Sequence, residues 1–256
     1  MTHYDLKEQG GYKYIDEGKG ETLMLLHGLF GALSNYQYIL EDFKDRYRIV
    51  IPMLPIYTLE IHETSVGGLV EHVKKFVAEL KLDNMVLVGN SLGGHIAQLY
   101  CLQEPHKVRA MVLTGSSGLF ESAMGGTYPK RGDYEYIKQR TEYTFYDPKT
   151  ATPELIDEVF DICNDRGKAI RVIAVAKTAM RENLAEHLHK VTCPVLLIWG
   201  ADDKITPPFV AEEFKKLIKN SELHFMSECG HAPMMESPKE FNRLLQNFLD
   251  KISVSV

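Results

Sequence analysis

Short runs of mostly apolar residues constrain the fold of this chain more than any other feature. Three strong runs each end at or next to a glycine: TLMLLH (22–27), NMVLVG (84–89) and CPVLLIWG (193–200). Three weaker ones are YRIVIP (47–52), VRAMVLTG (108–115) and ELHFMS (222–227). Continuous apolar runs, unlike alternating ones, are typical of strands that are covered on both faces. The sequence therefore predicts a largely parallel sheet between two layers of helices.

Helical patterns lie between these runs. The apolar residues of 66–80 recur at helical spacing and form one face, and residues 91–104 follow the central run as a second helix. Strands that alternate with helices indicate an α/β fold with a parallel sheet. The chain has 256 residues, of which 45% are hydrophobic, and this suits one large domain or a domain with an insertion.

Two further helices are predicted near the C-terminus, each with its own start signal. TPPFVAEEFKKLI begins with Thr206 as the expected cap and a proline at the first helical position. SPKEFNRLLQNFL begins with an expected capping box, in which Ser237 is the cap and Glu240 lies three residues further on.

The segment 119–190 interrupts the alternation because it holds no convincing buried strand. It contains helical stretches such as TPELIDEVFDIC and IRVIAVAKTAM. We interpret it as a helical cap inserted over a core formed by residues 1–118 and 191–256. Its first part is rich in aromatic residues, which we expect partly to line a pocket and partly to pack the cap: Phe120, Tyr128, Tyr134, Tyr136, Tyr143, Phe145 and Tyr146.

Charge and composition exclude several classes of partner. The formal net charge is -6 and no cluster of Lys and Arg is present, so nucleic acid is not an expected partner. No apolar run approaches the roughly 18 residues of a membrane span, and the N-terminus lacks the apolar core of a signal peptide. The four cysteines are scattered, which indicates free thiols and a cytoplasmic location. No feature indicates an oligomeric state.

The stretch GNSLG has the form G-x-S-x-G and joins a predicted strand to a predicted helix. A serine at such a turn, here Ser91, projects its hydroxyl from the edge of the sheet. Glycine is needed at positions 89 and 93 because a Cβ atom there would collide with neighbouring backbone. The amide of Leu92 is then placed to donate to an oxyanion. The alternative is a glycine-rich turn with a solvated serine.

A nucleophilic serine needs a base, and the chain order for this turn is Ser, then Asp or Glu, then His. Asp202 and Asp203 follow the predicted strand VLLIWG, and His231 follows ELHFMS. All the candidates therefore lie at carboxyl ends of strands, where open α/β sheets keep their sites. Alternatively, the aspartates cap a turn and the histidine is structural.

LLHGLFG, LVGNSLGG, LLIWGADDKITP and ECGHAPMMESPKEFN together resemble motifs of the α/β-hydrolase superfamily. The resemblance covers almost the whole chain, and segment 119–190 matches the family's cap. It implies a triad of Ser91, Asp203 and His231, with no metal or organic cofactor. It also implies that the amide of Leu29 is a second oxyanion donor beside that of Leu92, with Phe30 as the fallback.

Two histidines outside this set have expected structural roles. His27 matches the family's H-G pair after the third strand and is expected to be structural. His95 lies one helical turn beyond the serine and is expected to pack beneath the turn.

The motif GNSLGG, with VLTGSSGLF, is most similar to the branch of the superfamily that cleaves carbon–carbon bonds in meta-cleavage products. The chain departs from that branch in having HGLFG, which is closer to small carboxylesterases. It also has Ala232 where that branch has Trp, and Val159 or Phe160 near its Arg position. The resemblance thus implies a cofactor-free serine hydrolase acting on a small-molecule ester, or alternatively a C–C bond hydrolase or a small-ligand receptor with little turnover.

Cationic side chains of the cap are candidates to bind a substrate carboxylate, although each also fits a solvated helix face. They are Lys130, Arg131, Arg140, Arg166, Arg171 and Arg181.

Overall fold

The predicted apolar runs are neighbouring strands of one central sheet. The computed structural model describes residues 5–31, 33–121 and 130–254, and within them the sheet has eight strands in the order β1-β2-β4-β3-β5-β6-β7-β8. The strands are β1 (Lys7–Gln9), β2 (Tyr12–Glu17), β3 (Thr22–Leu26), β4 (Arg48–Pro52), β5 (Met85–Asn90), β6 (Val108–Thr114), β7 (Val195–Gly200) and β8 (Ser221–Met226). All pairs from β4 to β8 are parallel, so the six predicted strands are confirmed.

Two antiparallel strands at one edge were not among the predicted strands. β2 pairs with β1 on one side and with β4 on the other. Its sequence YKYIDE mixes charged and apolar residues, and only Tyr14 and Ile15 are fully buried. Asp16 binds Arg48 of β4 through two hydrogen bonds, of 2.9 and 2.8 Å. This contact between strands far apart in sequence fixes β2 at the edge.

Helices cover both faces of the sheet, as predicted. They are α1 (Gln37–Phe43), α2 (Val66–Glu79), α3 (Leu92–Gln103), α4 (Tyr134–Glu142), α5 (Pro153–Asn164), α6 (Arg166–Arg181), α7 (Pro208–Leu217), α8 (Pro233–Glu236) and α9 (Pro238–Ser253). Successive residues of β3 point to opposite faces. Met24 belongs to the apolar cluster that contains Phe76 of α2, whereas Leu25 belongs to the cluster that contains Phe248 of α9.

Neither predicted cap makes its side-chain capping bond, although Ser237 does occupy the cap position of α9. α7 begins at Pro208 with Pro207 at its cap position, because the Thr206 hydroxyl donates to a carboxylate oxygen of Asp203 instead. Ser237 does precede α9, but its side chain makes no capping bond. Its amide already donates to the carbonyl of Pro233, at 2.9 Å, so the amide is not open to Glu240, which pairs with Arg243.

The segment between β6 and β7 contains α4, α5 and α6 and no strand among its described residues. It is attached to the rest of the chain by hydrogen bonds from α6: Arg171 Nε donates to the carbonyl of Leu59, and Thr178 Oγ1 accepts from the amide of Val66. Tyr128 lies outside the described residues. The exact division into core and cap stays a prediction. Within the described ranges, no helix is long and apolar enough to cross a membrane.

Candidate active site

Ser91 lies on a strained turn between β5 and α3. Its φ of 53° and ψ of −120° are unusual for a residue with a side chain. The turn is possible because neighbouring backbone packs directly against Gly89 and Gly93, where a side chain would not fit. A Cβ atom on Gly93 would lie 1.8 Å from the carbonyl oxygen of Leu26, and one on Gly89 would lie 2.5 Å from that of Gly93. The predicted steric reason for both glycines is therefore confirmed.

Asp203 and His231 form a buried pair at the carboxyl ends of β7 and β8. The Nδ1 atom of His231 lies 2.9 and 3.2 Å from the two carboxylate oxygens of Asp203, and both residues are buried. The Asp203 carboxylate also accepts from the amides of Ile205 and Thr206 and from the Thr206 hydroxyl. These donors fix the carboxylate so that it orients the imidazole ring. Asp202, the alternative acid, is exposed.

The pKa of His231 is raised, although burial alone would lower it. The charge of Asp203 and its hydrogen bond raise the pKa, and the nearby carboxylates Glu121 and Glu236 add to this. A raised pKa means that the protonated ring is stabilised, which is what a base needs when it takes a proton during a reaction.

Glu236 fixes the loop that carries His231. Its carboxylate accepts from the amides of Gly230, at 2.9 Å, and Tyr146, at 2.7 Å, so that one side chain joins this loop to the segment after α4. The amide of His231 donates to the carbonyl of Thr144 in the same segment, at 2.9 Å. Sequence reasoning missed Glu236. The available signal was an acid five residues after the histidine, which falls before a predicted helix start.

Asn90 is a second positioning residue. Its side-chain amide donates to the carbonyl of His231, at 3.0 Å, and to that of Thr114, at 3.1 Å. It therefore connects the residue before Ser91 with the histidine loop. From the sequence, Asn90 is only a point of similarity to one branch; in the structure its hydrogen bonds position the His231 loop.

The loop after β3 contains Leu29, the second predicted oxyanion donor. Tyr57 donates its hydroxyl to the carbonyl of Leu29, at 2.9 Å, and this contact holds the loop from outside. His27 uses both ring nitrogens within the protein, since Nδ1 lies 2.9 Å from the carbonyl oxygen of Gly28 and Nε2 accepts from the amide of Leu54. Burial lowers the pKa of His27, so the neutral, structural ring fits these contacts.

The predicted nucleophile, base and oxyanion donors line one cavity of 330 Å³. Ser91, His231, Leu29 and Leu92 all line it, and Phe30 lies on its wall. Aliphatic side chains from the segment between β6 and β7 form much of the rest, including Leu155, Val159, Val172, Val175 and Met180. The ionisable residues among the described lining are Glu121, Lys177 and His231.

None of the six candidate cations of the cap is among the described residues that line this cavity. Arg171 donates to the carbonyls of Leu59 and Gly167, and Arg131 donates to that of Asn164. Of the aromatic residues, Phe145 lines the cavity, whereas Tyr134 packs against Phe160 within the segment.

His95 is fully buried, as expected, and lies outside the cavity lining. Burial lowers its pKa to about 4, so it stays neutral. The part of the chain that the structure describes holds no group of three or more His, Cys, Asp or Glu residues that could bind a metal ion.

Comparison with known proteins identifies the family. A family model described as alpha/beta hydrolase fold matches residues 21–141 and 132–238, which is most of the chain. The chain belongs to the alpha/beta hydrolase fold family.

Its relatives in this family are hydrolases. A 2-hydroxy-6-oxononadienedioate/2-hydroxy-6-oxononatrienedioate hydrolase from Paraburkholderia phymatum is 30% identical over 92% of this chain and 90% of its own length. An alpha/beta hydrolase enzyme from a sediment metagenome of the Mar Chica lagoon is 38% identical, with a TM-score of 0.80 over 96% of this chain and 98% of its own. A meta-cleavage product hydrolase from Pseudomonas fluorescens shares the fold, with a TM-score of 0.83 at 22% identity over 94% of this chain and 95% of its own.

Proposed function

We propose that this hydrolase cleaves small-molecule esters through a catalytic triad of Ser91, His231 and Asp203. The observation that carries the proposal is that His231, paired with the buried Asp203, lines the same cavity as Ser91, which is held at positive φ. This is the arrangement that converts a weakly nucleophilic hydroxyl into an attacking group.

In the first half of the reaction, the Ser91 hydroxyl attacks the ester carbonyl and His231 takes its proton. Asp203 holds the imidazole ring and stabilises its protonated form. His231 then gives the proton to the departing alcohol, and the acyl group remains on Ser91. In the second half, His231 takes a proton from water, which attacks the acyl group. The bond between the acyl carbon and Ser91 Oγ then breaks, His231 returns the proton to Oγ, and the acid is released.

The amides of Leu29 and Leu92 stabilise the negative oxygen that forms on the carbonyl. Leu92 is the first residue of α3, so its amide has no acceptor within the helix, and Leu29 is held by Tyr57. Both residues line the cavity beside Ser91. A single oxyanion donor contributes about 10²–10³ in rate.

The lining of the cavity supports an uncharged substrate. Ala232, which stands where the C–C branch has Trp, lines it. Val159, which with Phe160 lies near that branch's Arg position, also lines it, and no arginine is among its described lining residues. A dienoate substrate carries a carboxylate, and burying that charge without a cation costs free energy. Apolar acyl esters fit a wall of this composition.

Carbon–carbon bond hydrolysis is the second candidate, and the names of the relatives favour it. The Paraburkholderia relative is a dienedioate hydrolase, and Asn90 precedes the serine here as in the motif of that branch. In this reading the substrate carboxylate lies beside Lys177, a cation among the described lining residues.

An activity screen separates the two candidates. We expect the purified protein to hydrolyse p-nitrophenyl butyrate over many turnovers, and Ser91→Ala to lose this activity while remaining folded. Hydrolysis of meta-cleavage dienoates without ester hydrolysis would replace the first candidate by the second. A single turnover followed by tight retention of the ligand would indicate the receptor.

A further inference from the structure

Glu121 is an acidic side chain inside the cavity that the triad does not use. It is partly buried among aliphatic lining residues. A carboxylate in such surroundings costs free energy unless polar groups compensate it. Its position therefore calls for an explanation in terms of what enters the cavity.

The carboxylate is held by a built network and does not simply extend from a surface. The Ser117 hydroxyl donates to Glu121 Oε2 at 2.7 Å. Ser117 is itself fixed at its backbone, since its amide donates to the carbonyl of Ser91 at 3.2 Å and its carbonyl accepts from Gln98 at 2.9 Å. The network thus places Glu121 relative to the residue that attacks the substrate.

The second carboxylate oxygen, Oε1, accepts no hydrogen bond from any residue that the structure describes. Burial raises the pKa of Glu121, while the Ser117 hydrogen bond and the charge of His231 lower it. In return Glu121 raises the pKa of His231, together with Asp203 and Glu236. Glu121 and His231 are therefore close enough for the charge of each to change the pKa of the other.

We propose that Glu121 and Ser117 form a substrate-binding subsite that selects a hydrogen-bond donor on the substrate. Oε1 accepts from a hydroxyl or a protonated amine near the scissile carbonyl, and the same carboxylate excludes substrates with a carboxylate at that place. The proposal rests on the proposed ester hydrolysis and specifies its substrate class as uncharged or cationic esters with a donor group.

The physical basis is an asymmetry between the two kinds of substituent. A donor gives this carboxylate a further hydrogen-bond partner in a cavity whose described lining is mostly aliphatic, whereas a second carboxylate adds like-charge repulsion. A like-charge contact in such a site is strongly unfavourable, so discrimination against anions is the larger effect.

The test compares three p-nitrophenyl esters: butyrate, 3-hydroxybutyrate and the succinate monoester. A second series moves the same substituents to the alcohol, with butyl butyrate, 4-hydroxybutyl butyrate and 4-butyryloxybutanoate. The variant is Glu121→Gln, which keeps the shape and removes the charge. Glu182→Gln is the matched control, because Glu182 is also partly buried near the cap but does not line the cavity.

In at least one series, we expect Glu121→Gln to raise the anionic-to-neutral ratio of kcat/KM roughly tenfold or more. We expect it to lower the hydroxyl-to-neutral ratio several-fold in the same series, and Glu182→Gln to leave both ratios unchanged. NMR titration without substrate should also show a lower pKa for His231 in Glu121→Gln, since one stabilising charge is gone.

Unchanged ratios in both series, with butyrate still hydrolysed in a manner that depends on Ser91, would overturn the subsite alone. Absence of any Ser91-dependent ester hydrolysis by the unmodified protein would overturn the proposed function, and the subsite with it.

Discussion

Gly93 gives the sharpest test of why the turn around Ser91 needs glycine. It is the second residue of α3, where replacement of glycine by alanine would ordinarily stabilise a helix by about 1 kcal/mol. The structure predicts the opposite sign for Gly93→Ala. The new Cβ atom would lie 1.8 Å from the oxygen and 2.4 Å from the carbon of the Leu26 carbonyl, which belongs to β3.

Neither the new Cβ atom nor the Leu26 carbonyl can move at a low cost in free energy, because both are fixed to the backbone. Relief requires β3 and α3 to separate by roughly 1 Å or more, and overpacking of this kind costs about 1–3 kcal/mol or more. Because the contact is between backbone groups, we place the cost at the upper end of this range, about 3 kcal/mol, and expect a net loss of about 2 kcal/mol in the free energy of unfolding after the helix gain of about 1 kcal/mol is subtracted. Because Leu29 follows β3 closely, the same shift misplaces an oxyanion donor, and kcat should fall about 10²-fold.

Denaturant unfolding followed by tryptophan fluorescence measures the stability directly, since Trp199 is the single tryptophan and is fully buried. Gly67→Ala is the matched control. In α2 its Cβ would meet only the Ser65 hydroxyl oxygen, at 3.8 Å, so it should stabilise by about 0.5–1 kcal/mol and leave kcat unchanged. A Gly93→Ala protein as stable and active as Gly67→Ala would refute the reasoning.

Three further predictions concern the acid and the base. Thr206→Val removes a charge-assisted hydrogen bond to Asp203 and should cost about 1.5–3 kcal/mol in unfolding free energy, whereas Thr206→Ser should cost much less. Glu236→Gln weakens the three amide contacts, from Gly230, Ala232 and Tyr146, that hold the His231 loop, so kcat should fall about tenfold with little change in KM; a comparable weakening of substrate binding, seen as a higher KM, would argue for a general defect. Since neutral His231 is the base, kcat/KM should rise as the pH passes the raised pKa of His231. Asp203→Asn should shift this rise in kcat/KM to lower pH and reduce kcat about 10⁴-fold. A rise at unchanged pH in Asp203→Asn would mean that another group titrates.

The parts of the fold that depend on local sequence could be predicted. The strands β3, β5 and β7 are buried along their whole length, and this burial on both faces is visible as nearly continuous apolar sequence. The weaker run at β8 is mostly half-buried or exposed, which matches its more polar sequence SELHFM. β2 could not be predicted, because YKYIDE has no clear pattern and gains its place from pairing with a strand more than thirty residues away.

Both errors in the caps have the same origin. A Ser or Thr before a helix signals a cap only if no stronger partner competes for its hydrogen bonds. Here the charged Asp203 takes the Thr206 hydroxyl, and the Pro233 carbonyl takes the Ser237 amide. Such partners come from the tertiary structure, so sequence spacing alone does not reveal them.

The candidate site also contains residues that the sequence could predict and residues that it could not. Ser91, Asp203 and His231 have motif positions, and the structure brings the latter two into contact and places the serine on the same cavity. Glu236, Tyr57 and Glu121 have no motif, because each acts through a contact that forms only when distant segments meet.

Labelling with a fluorophosphonate probe tests the central claim most directly, because the probe reacts with a serine only when a base activates it. Mass spectrometry of the digested protein should find one adduct, on the peptide that carries Ser91, formed within minutes. Labelling should disappear in Ser91→Ala and become far slower in His231→Ala. A folded protein that remains unlabelled, or one labelled at another serine, would contradict the proposed triad.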